Sequence, residues 1–431
     1  MKKAVVLGAY GFIGGACVRA LQEEGFAVLG IGRSVTAAQR AFPDLVWIIR
    51  DIASVSAEEW KELLADADVV VNASGALQDG SRDNLTAIHE TAVSRVVEAL
   101  TGSKTRFIQI SAAGVSEDAP TGFFRTKARG DRTVVASAID WIVLRPVLVL
   151  GREAYGGTAL LRASAALPLI GGKAFPQAKV QTVHVTDLAR AVAQAATGSL
   201  GSRFVADLAE DQSRTFWELT VGIRSWLGYA PWRAAIAVPA WTVRLIGKGA
   251  DALGWLGWRS PLRTNALKSL ESGITGDPQE WRRRGGTSLK SLEETLRAMP
   301  ATAQERAFSR VYLILPLAIG CLSLFWLLSG LMGLWSFRAA QSVLTETDVA
   351  HGIAGAAVIG GSVIDILLGL GVLWRRWTRP ACLGMAAVSL GYLFFGTLLT
   401  PELWADPLGP FVKIFPALVL ALAVAFLLDE R

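Results

Sequence analysis

The part of the chain that follows residue 310 contains four long apolar stretches with almost no charge. They run over residues 312–335, 352–374, 381–400 and 410–428. Asp365 and Lys413 are the only charged residues within them, and Lys413 lies near one end of its stretch. An α-helix needs about 20 mostly apolar residues to cross a bilayer. The four stretches therefore predict four transmembrane helices.

The overall composition agrees with a membrane protein and excludes several other classes. Of the 431 residues, 52% are hydrophobic and 19% are charged, whereas soluble chains carry about a quarter charged residues. The net charge is +6, but no run of Lys or Arg exceeds three residues, so we expect no nucleic-acid partner. Three cysteines without a CxxC pair and three histidines predict no metal site.

Basic residues near the apolar stretches indicate their orientation in the membrane. Arg306 and Arg310 precede the first stretch, and Arg375, Arg376 and Arg379 follow the second. Such residues favour the cytoplasmic side. We therefore expect a multi-pass protein of the inner (cytoplasmic) membrane, with the N-terminal domain and the C-terminus both in the cytoplasm.

The start of the chain has the pattern of a strand, a glycine-rich turn, a helix and a second strand. Residues 3–7 are apolar and lead into Gly8, Gly11 and Gly14. Glycines here permit a tight turn, close approach to a pyrophosphate and close packing of helix on strand. The helix N-terminus adds N–H groups and a partial positive charge. The pattern predicts a dinucleotide-binding turn, with a glycine turn that binds nothing as the alternative.

The end of the second predicted strand, 27–31, bears on which dinucleotide binds. NAD-binding domains place an acid there to hold the ribose hydroxyls. This chain has Arg33 and Ser34 instead. A guanidinium can pair with a 2′-phosphate, and a hydroxyl can add a hydrogen bond. We expect NADP(H) in preference to NAD(H), with a merely solvated Arg33 as the alternative.

Further predicted strands, at 45–50, 68–71, 106–110 and 140–144, complete the pattern of a parallel sheet. Ligands bind at the carboxyl ends of the strands in such sheets. Asp51 is placed to meet the adenine or, alternatively, to cap a helix. The residues expected to contact the dinucleotide are Gly8, Tyr10, Gly11, Phe12, Ile13, Gly14, Arg33, Ser34, Asp51, Ile52, Asn72, Ala73, Ser74, Gly75 and Lys127. The predicted fold class is a Rossmann-like α/β doubly wound parallel sheet, followed by an all-α four-helix transmembrane domain.

Several of these motifs resemble the short-chain dehydrogenase/reductase (SDR) superfamily. The resemblance rests on the glycine turn, the 70–75 segment and the order Ser111, Lys127, Arg145-Pro146. It is nearest to the extended and atypical branches, which include NAD-dependent epimerases and the reductase-like accessory subunit of respiratory complex I. It implies that Ser111 and Lys127 are the catalytic candidates.

The C-terminal part is similar to the DoxX-like families of small four-helix membrane proteins. The 360–369 stretch and the basic turn at 374–379 carry this resemblance. The resulting domain prediction has three parts. They are an NAD(P)-binding domain at 1–200, a smaller lobe at 201–305 and a DoxX-like domain at 306–431.

One position departs from the SDR pattern. The family pairs a tyrosine with a lysine four residues later, but Phe123 stands four residues before Lys127. The phenol exchanges a proton with the substrate oxygen, and the lysine lowers its pKa. A phenyl ring has no such proton. Tyr10 and Tyr155 are the alternative acids, and Lys127 can still hold the nicotinamide ribose.

Two further features have competing interpretations. The Trp-rich and basic stretch at 231–258 predicts either an interfacial helix on the inner leaflet or an ordinary amphipathic helix of the lobe. Asp365 is a candidate proton relay or quinone contact, or alternatively a helix–helix contact.

We therefore expect a membrane oxidoreductase that passes reducing equivalents to a lipophilic acceptor such as a quinone. Its partners would be the lipid bilayer and that acceptor. A non-catalytic dinucleotide sensor or assembly partner of a membrane complex is the alternative suggested by Phe123. Epimerisation is a third, disfavoured by the same residue.

Overall fold

The computed structural model describes residues 1–77, 84–258, 260–347, 349–407 and 409–428. The chain forms two compact units, Met1–Ala250 with Pro261–Arg306 and Asp251–Ser260 with Ala307–Arg431. The strands are β1 (Lys3–Leu7), β2 (Ala27–Gly32), β3 (Val46–Ile49), β4 (Val69–Asn72), β5 (Arg106–Ile110), β6 (Asp140–Pro146), β7 (Leu148–Leu150), β8 (Ile170–Lys173), β9 (Lys179–Val180), β10 (Thr182–His184), β11 (Phe204–Leu208), β12 (Arg214–Thr215) and β13 (Ala234–Ala237).

The helices of the first unit surround these strands. They are α1 (Phe12–Glu23), α2 (Val35–Ala41), α3 (Ala57–Leu63), α4 (Ala92–Leu100), α5 (Gly122–Ala136), α6 (Gly157–Ala165), α7 (Val185–Thr197), α8 (Phe216–Trp226), α9 (Ala240–Trp255), α10 (Thr264–Glu271), α11 (Gln279–Arg283) and α12 (Leu292–Ala298). A π-helical turn, Ala87–Thr91, precedes α4. The last turn of α9 belongs to the second unit.

The centre of the first unit is a seven-stranded parallel sheet of order β11-β6-β5-β4-β1-β2-β3. Six of its strands lie within about two residues of the predicted ones. The order reverses at β1, which pairs with β2 on one side and β4 on the other. This is the doubly wound arrangement, so the predicted fold class is confirmed for this unit.

Alternating residues of the strands pack on opposite faces of the sheet. Ala4 and Val6 of β1 join α1 and α7 in one core, whereas Val5 and Leu7 join α3, α4 and α5 in the other. Strands buried on both faces are nearly continuous apolar runs, as β1 and β4 are. Helices on both faces leave the ends of the strands as the place for a site.

The seventh strand, β11, extends the sheet past residue 200, where we expected the first domain to end. Directly after it, the buried Glu210 accepts hydrogen bonds from the Thr182 amide (2.9 Å), the Leu292 amide (2.9 Å) and the Arg214 guanidinium (2.8 Å). It thereby connects β10, β12 and the start of α12. The smaller lobe has its own core, formed largely by α6, α8 and α12.

The second unit is helical. Its helices are α13 (Ala303–Trp335, which begins in the first unit), α14 (Phe337–Thr345), α15 (His351–Gly371), α16 (Thr378–Leu399) and α17 (Ile414–Leu427), with a 3₁₀ turn at Pro401–Trp404. Among the described residues, α13, α15 and α16 are long and apolar enough to cross a membrane. Residues of these three helices and of α17 share one core.

The fourth predicted span is helical over a shorter length than we expected. Of residues 410–428, the helix covers Ile414–Leu427, about 21 Å at 1.5 Å per residue, against a bilayer core of about 30 Å. Gly409 takes a left-handed conformation (φ 57°) and Lys413 ends a turn that precedes the helix. The apolar composition of the stretch could not reveal this turn.

Candidate cofactor site

The register of the sheet brings the predicted cofactor residues to one edge. Leu7 at the end of β1 lies opposite Ile31 of β2 and Asn72 of β4. Gly32, the last residue of β2, lies opposite Ile49, the last residue of β3. The segments that start at Gly8, Arg33, Arg50 and Ala73 therefore emerge side by side, at the point where the strand order reverses.

The glycine turn has the shape that a dinucleotide phosphate needs. Gly8 has φ 74°, and a Cβ there would come within 2.9 Å of the Ser74 hydroxyl. A Cβ on Gly14 would collide with the carbonyl oxygen of Gly8. The turn is held by the Gly11 amide, which donates to Gly8 O at 2.9 Å. Glycine is thus required at position 14 by the close approach of α1 to the end of β1, and at position 8 by its positive φ and by Ser74.

The start of α1 is open to an anion. Within the described residues no side chain caps this helix at Gly11, and its first turn carries no acidic residue. The first N–H groups of a helix lack intrahelical partners, and the helix dipole adds positive charge at this end. A glycine cradle and an uncapped helix start fit a pyrophosphate.

Tyr10 shapes the end of β2. Its hydroxyl accepts a hydrogen bond from the Arg33 amide at 3.2 Å, and its ring lies where a side chain on Gly32 would be. Trp47 stands beside it, with the ring centroids 6.0 Å apart. Tyr10 therefore lies at the carboxyl end of β2, where its hydroxyl binds the backbone amide of Arg33.

A shallow cleft lies at the ends of β2 and β3. It is lined by Arg33, Ser34, Ile49, Arg50 and Asp51. Arg33 is exposed, and the Arg50 guanidinium pairs with Glu59 at 2.8 Å. Two arginines in one cleft make it suitable for a phosphate group. Sequence reasoning identified Arg33 and missed Arg50, which ends the predicted third strand.

Three of the predicted contacts have local structural roles. The Ser34 hydroxyl caps α2 by accepting from the Ala37 amide, and a carboxylate oxygen of Asp51 accepts from the Ala53 amide at 3.1 Å. Ile52 is buried in the core with α3 and α4. Asp51 therefore stabilises a turn and does not cap a helix, since Ser56 caps α3, and its exposed carboxylate lines the cleft.

The 72–75 segment continues β4 across the edge. The Asn72 side chain is buried, donates to Gln109 at 2.9 Å and accepts from the Ser74 amide at 3.1 Å. The Ala73 amide donates to Leu7 O at 3.1 Å. The Asn72 side chain thus fixes the turn, while the backbone of Ala73, Ser74 and Gly75 passes beside the glycine turn.

A buried polar cluster lies behind Gly75. The Lys127 ammonium donates to Ile110 O at 3.0 Å, and its nitrogen lies 5.8 Å from the centroid of the Phe123 ring. His89 Nε2 accepts from the Ala76 amide at 3.1 Å, so its Nδ1 donates to the Thr126 hydroxyl at 3.0 Å. The Phe123 ring packs edge-on against His89 at 5.5 Å. Phe123 therefore places an apolar ring beside Lys127 and His89, where the SDR pattern that the sequence resembles has a phenol.

Burial controls the protonation of this cluster. It lowers the pKa of Lys127 from 10.5 to about 8, against the opposing effect of the Asp131 carboxylate. Burial, assisted by the Lys127 ammonium, lowers the pKa of His89 to about 2. The imidazole is therefore neutral at physiological pH, and Lys127 is the cation of the cluster.

Ser111 is bound within the protein. Its hydroxyl donates to the Asp131 carboxylate at 2.7 Å, and Arg145 pairs with the same carboxylate at 3.0 Å. Burial raises the pKa of Asp131 despite Arg145. Ser111 is itself 4% exposed, so its observed role is to position Asp131.

Sequence reasoning missed His89 and Asp131. Asp131 stands four residues after Lys127 on α5, and this spacing places both on one face of a helix. That spacing was the available signal for Asp131.

No local sequence signal indicated His89. It lies on a π-helical turn that is distant in sequence from α5 and packs against that helix in the folded chain. A Cβ on Gly130 would collide with the carbonyl oxygen of His89.

Asp365 connects three helices of the second unit. Its carboxylate accepts from Ser329 of α13 at 2.7 Å and from Tyr392 of α16 at 3.0 Å. Asp365 is 4% exposed, whereas Tyr392 is 41% exposed. Of our two interpretations of Asp365, the structure shows the helix–helix contact. The Tyr392 ring lies at the surface of the second unit.

Two parts of the chain match known families. Residues 8–195 match the NAD(P)H-binding family, and residues 323–422 match the DoxX-like family. The resemblance predicted for each part is thereby confirmed. Residues 8–195 are therefore similar to NAD(P)H-binding domains, and residues 323–422 are similar to DoxX-like domains.

Curated relatives match about half of this chain. NADH dehydrogenase [ubiquinone] 1 alpha subcomplex subunit 9 of Arabidopsis thaliana is 29% identical over 206 residues, 44% of this chain and 49% of that protein. The ceramide reductase of Caulobacter vibrioides is 23% identical over 235 residues, 52% of this chain and 71% of that protein. The chain spans about half the length of the complex I subunits that it matches.

Solved structures share the fold. The Bordetella bronchiseptica enzyme WbmH, in complex with NAD⁺, has a TM-score of 0.52 at 20% identity, covering 69% of this chain and 97% of WbmH. A Burkholderia cenocepacia protein described as a putative epimerase has a TM-score of 0.53 at 18% identity, covering 72% and 98%. At these identities the likeness supports the fold alone.

The lowered pKa of Lys127 predicts a pH-dependent stability. Below about pH 8 both the folded and the unfolded chain hold this proton, and the folded chain bears the full cost of the buried charge. Between about 8 and 10.5 the unfolded chain binds more protons, so stability rises with pH. We expect wild type to gain stability relative to Lys127→Met across this window, measured by chemical unfolding of the detergent-solubilised protein.

The matched control for this measurement is Lys104→Met. Lys104 is exposed, so its ammonium remains in water in both states. The difference between wild type and this variant should stay flat from pH 7 to 11. If the difference in unfolding free energy between wild type and Lys127→Met also stayed constant with pH, the buried position of the Lys127 ammonium would be contradicted.

Proposed function

We propose that the chain is a membrane-anchored oxidoreductase that uses a nicotinamide dinucleotide and passes reducing equivalents to a lipophilic acceptor such as a quinone. The observation that carries this proposal is a dinucleotide site on the same chain as three helices that can cross a bilayer. The name of the ceramide reductase relative, which specifies a lipid substrate, supports a lipophilic partner.

The chemistry of the site favours an acceptor that needs no phenol. A nicotinamide dinucleotide, when bound, supplies the hydride, and the chain supplies binding and orientation. In the SDR family the tyrosine gives its proton to a carbonyl oxygen, and Phe123 cannot. Quinones depend less on a protein acid, because their reduced oxygens can take protons from water.

Different segments along the carboxyl edge of the sheet would hold different parts of the cofactor. The glycine turn and the start of α1 would hold the pyrophosphate, and the Arg33 cleft would hold the adenosine side. The Ala73–Gly75 backbone and Lys127 would hold the nicotinamide ribose. Asp365 and Tyr392 are the candidate polar contacts for an acceptor among the membrane helices.

The cofactor is NADP(H) in preference to NAD(H) under this proposal. Arg33 and Arg50 line the cleft where the second strand ends, and the one acid among its lining residues, Asp51, follows the third strand. Guanidinium groups favour a 2′-phosphate over free ribose hydroxyls. The basic turn at 375–379 supports an inner-membrane location with the N-terminal domain in the cytoplasm.

A second candidate function has its own support. Phe123 and the match to complex I subunits agree with a non-catalytic dinucleotide-binding protein that acts as a sensor or as an assembly partner in a membrane complex. This candidate predicts binding of the dinucleotide without turnover.

Turnover separates the two candidates. In proteoliposomes that contain the full chain, we expect steady oxidation of NADPH when a short-chain quinone is added. The measurement is the loss of the absorbance of the reduced nicotinamide. Gly8→Val is the control and should be inactive, because its side chain would meet Ser74. Binding of NADPH by wild type without oxidation, across a series of quinones, would contradict the oxidoreductase and favour the second candidate.

Cofactor preference depends on Arg33. We expect wild type to bind NADPH at least about tenfold tighter than NADH, about 1.4 kcal/mol, measured by calorimetric titration. Arg33→Ala should lose this preference and keep its affinity for NADH. The control is Arg40→Ala, an exposed arginine on α2 outside the cleft, which should retain the preference. Equal binding of both cofactors by wild type would contradict the assignment.

A further inference from the structure

The helix α9 exposes a broad apolar face. Trp241, Leu245, Ile246 and Leu253 are 44–64% exposed, and Trp255 is 89% exposed. The opposite side of the helix is buried through Val243, Gly247 and Ala250. Soluble surfaces rarely expose contiguous apolar patches, so five exposed large apolar side chains on one helix favour a covering partner.

The chain leads from this face directly into the membrane unit. Residues 251–260 belong to that unit, and the Trp258 indole donates to Leu373 O at 2.6 Å. The Arg375 amide donates to Leu256 O at 3.0 Å. The segment that follows α9 is thus bound to the turn between α15 and α16.

That turn has the composition of a membrane interface. Trp374 and Trp377 are 53% and 54% exposed, and Arg375, Arg376 and Arg379 lie among them. Tryptophan gathers at the level of the lipid head groups, and basic side chains there attract anionic lipids. The end of α9 therefore lies at the level expected for the bilayer surface.

The charges of α9 match the same surface. Arg244 and Lys248 are exposed and stand four residues apart, and Lys248 lies on the same side of the helix as Trp241 and Trp255. The one acid of α9, Asp251, is half-buried. A helix with Trp and Leu on one side and basic residues beside them lies in the plane of an anionic interface. An ordinary lobe helix would instead turn its aromatic face into the core.

We propose that α9 is an in-plane interfacial helix, whose Trp241–Trp255 apolar face inserts among the head groups of an anionic phospholipid leaflet on the arginine-rich side of the membrane helices. This role is independent of the redox chemistry and holds for a catalytic or a non-catalytic chain. It also gives the protein a lipid contact outside its spanning helices.

The test places a fluorescent probe at single cysteines of the full chain in lipid nanodiscs. Cys321 is exposed and is replaced by Ala, while Cys17 and Cys382 are buried. Leu245→Cys and Trp255→Cys report on the apolar face. Val135→Cys is the matched control, an exposed apolar residue on α5 of the first unit.

Two quenchers distinguish lipid from water and from protein. In nanodiscs with phosphatidylglycerol, we expect a nitroxide on the upper acyl chain to quench both α9 probes. Iodide should quench them at least about threefold less than the Val135 probe. Iodide access equal to that of Val135 would overturn the proposal. Protection from both quenchers would also overturn it, since a second protein copy would then cover the face.

A change of lipid tests the electrostatic part. This comparison uses acrylamide, an uncharged quencher, because an anionic surface itself repels iodide. In nanodiscs of phosphatidylcholine alone, acrylamide should reach the two α9 probes more readily, because Arg244 and Lys248 lose their anionic partners. The Val135 probe should not change. Unaltered acrylamide access at Leu245 and Trp255 would contradict the preference for anionic lipid.

Discussion

The parallel pairing of β1 with both β2 and β4 is the constraint on which the candidate site depends. Because Leu7 lies opposite Ile31 and Asn72, the segments after three strands leave the sheet at one level. The reversal of strand order at β1 opens the space between them, and α1 starts there without a cap. A slip in this register would separate the glycine turn from the 72–75 segment and from Arg33.

The close approach of α1 to β1 explains why side chains are excluded from the turn. The Gly8 carbonyl occupies the position that a Cβ on Gly14 would need, and Ser74 closes the other side of Gly8. Backbone N–H groups and a helix dipole therefore face the phosphate position. Behind them lie the buried side chains of Lys127, His89 and Asp131, and Phe123 stands where the SDR pattern has a tyrosine. The turn thus fits a dinucleotide, and under the proposed oxidoreductase function the acceptor must react without a phenol.

Much of this arrangement follows from local sequence. Local sequence is enough to interpret the glycines, the apolar strands and the long uncharged stretches, because the physical cause of each lies in neighbouring residues. The role of Ser34 as a helix cap, the Asx turn of Asp51 and the bond of Ser111 to Asp131 were not predictable in the same way. Each depends on which neighbour the fold brings within hydrogen-bond distance. The short length of α17 likewise depends on the turn that follows Gly409, which hydropathy does not detect.

The most direct test of this account is a titration of the full-length, detergent-solubilised chain with NADPH, beside Gly14→Val. The account predicts micromolar binding by wild type and its loss in the variant, whose side chain would displace the Gly8 carbonyl from the phosphate cradle. Thermal unfolding of both proteins identifies a variant that has lost its fold instead of its site. No binding of NADPH or NADH by wild type, or equal binding by a folded Gly14→Val, would contradict the assignment of the glycine turn as the cofactor site.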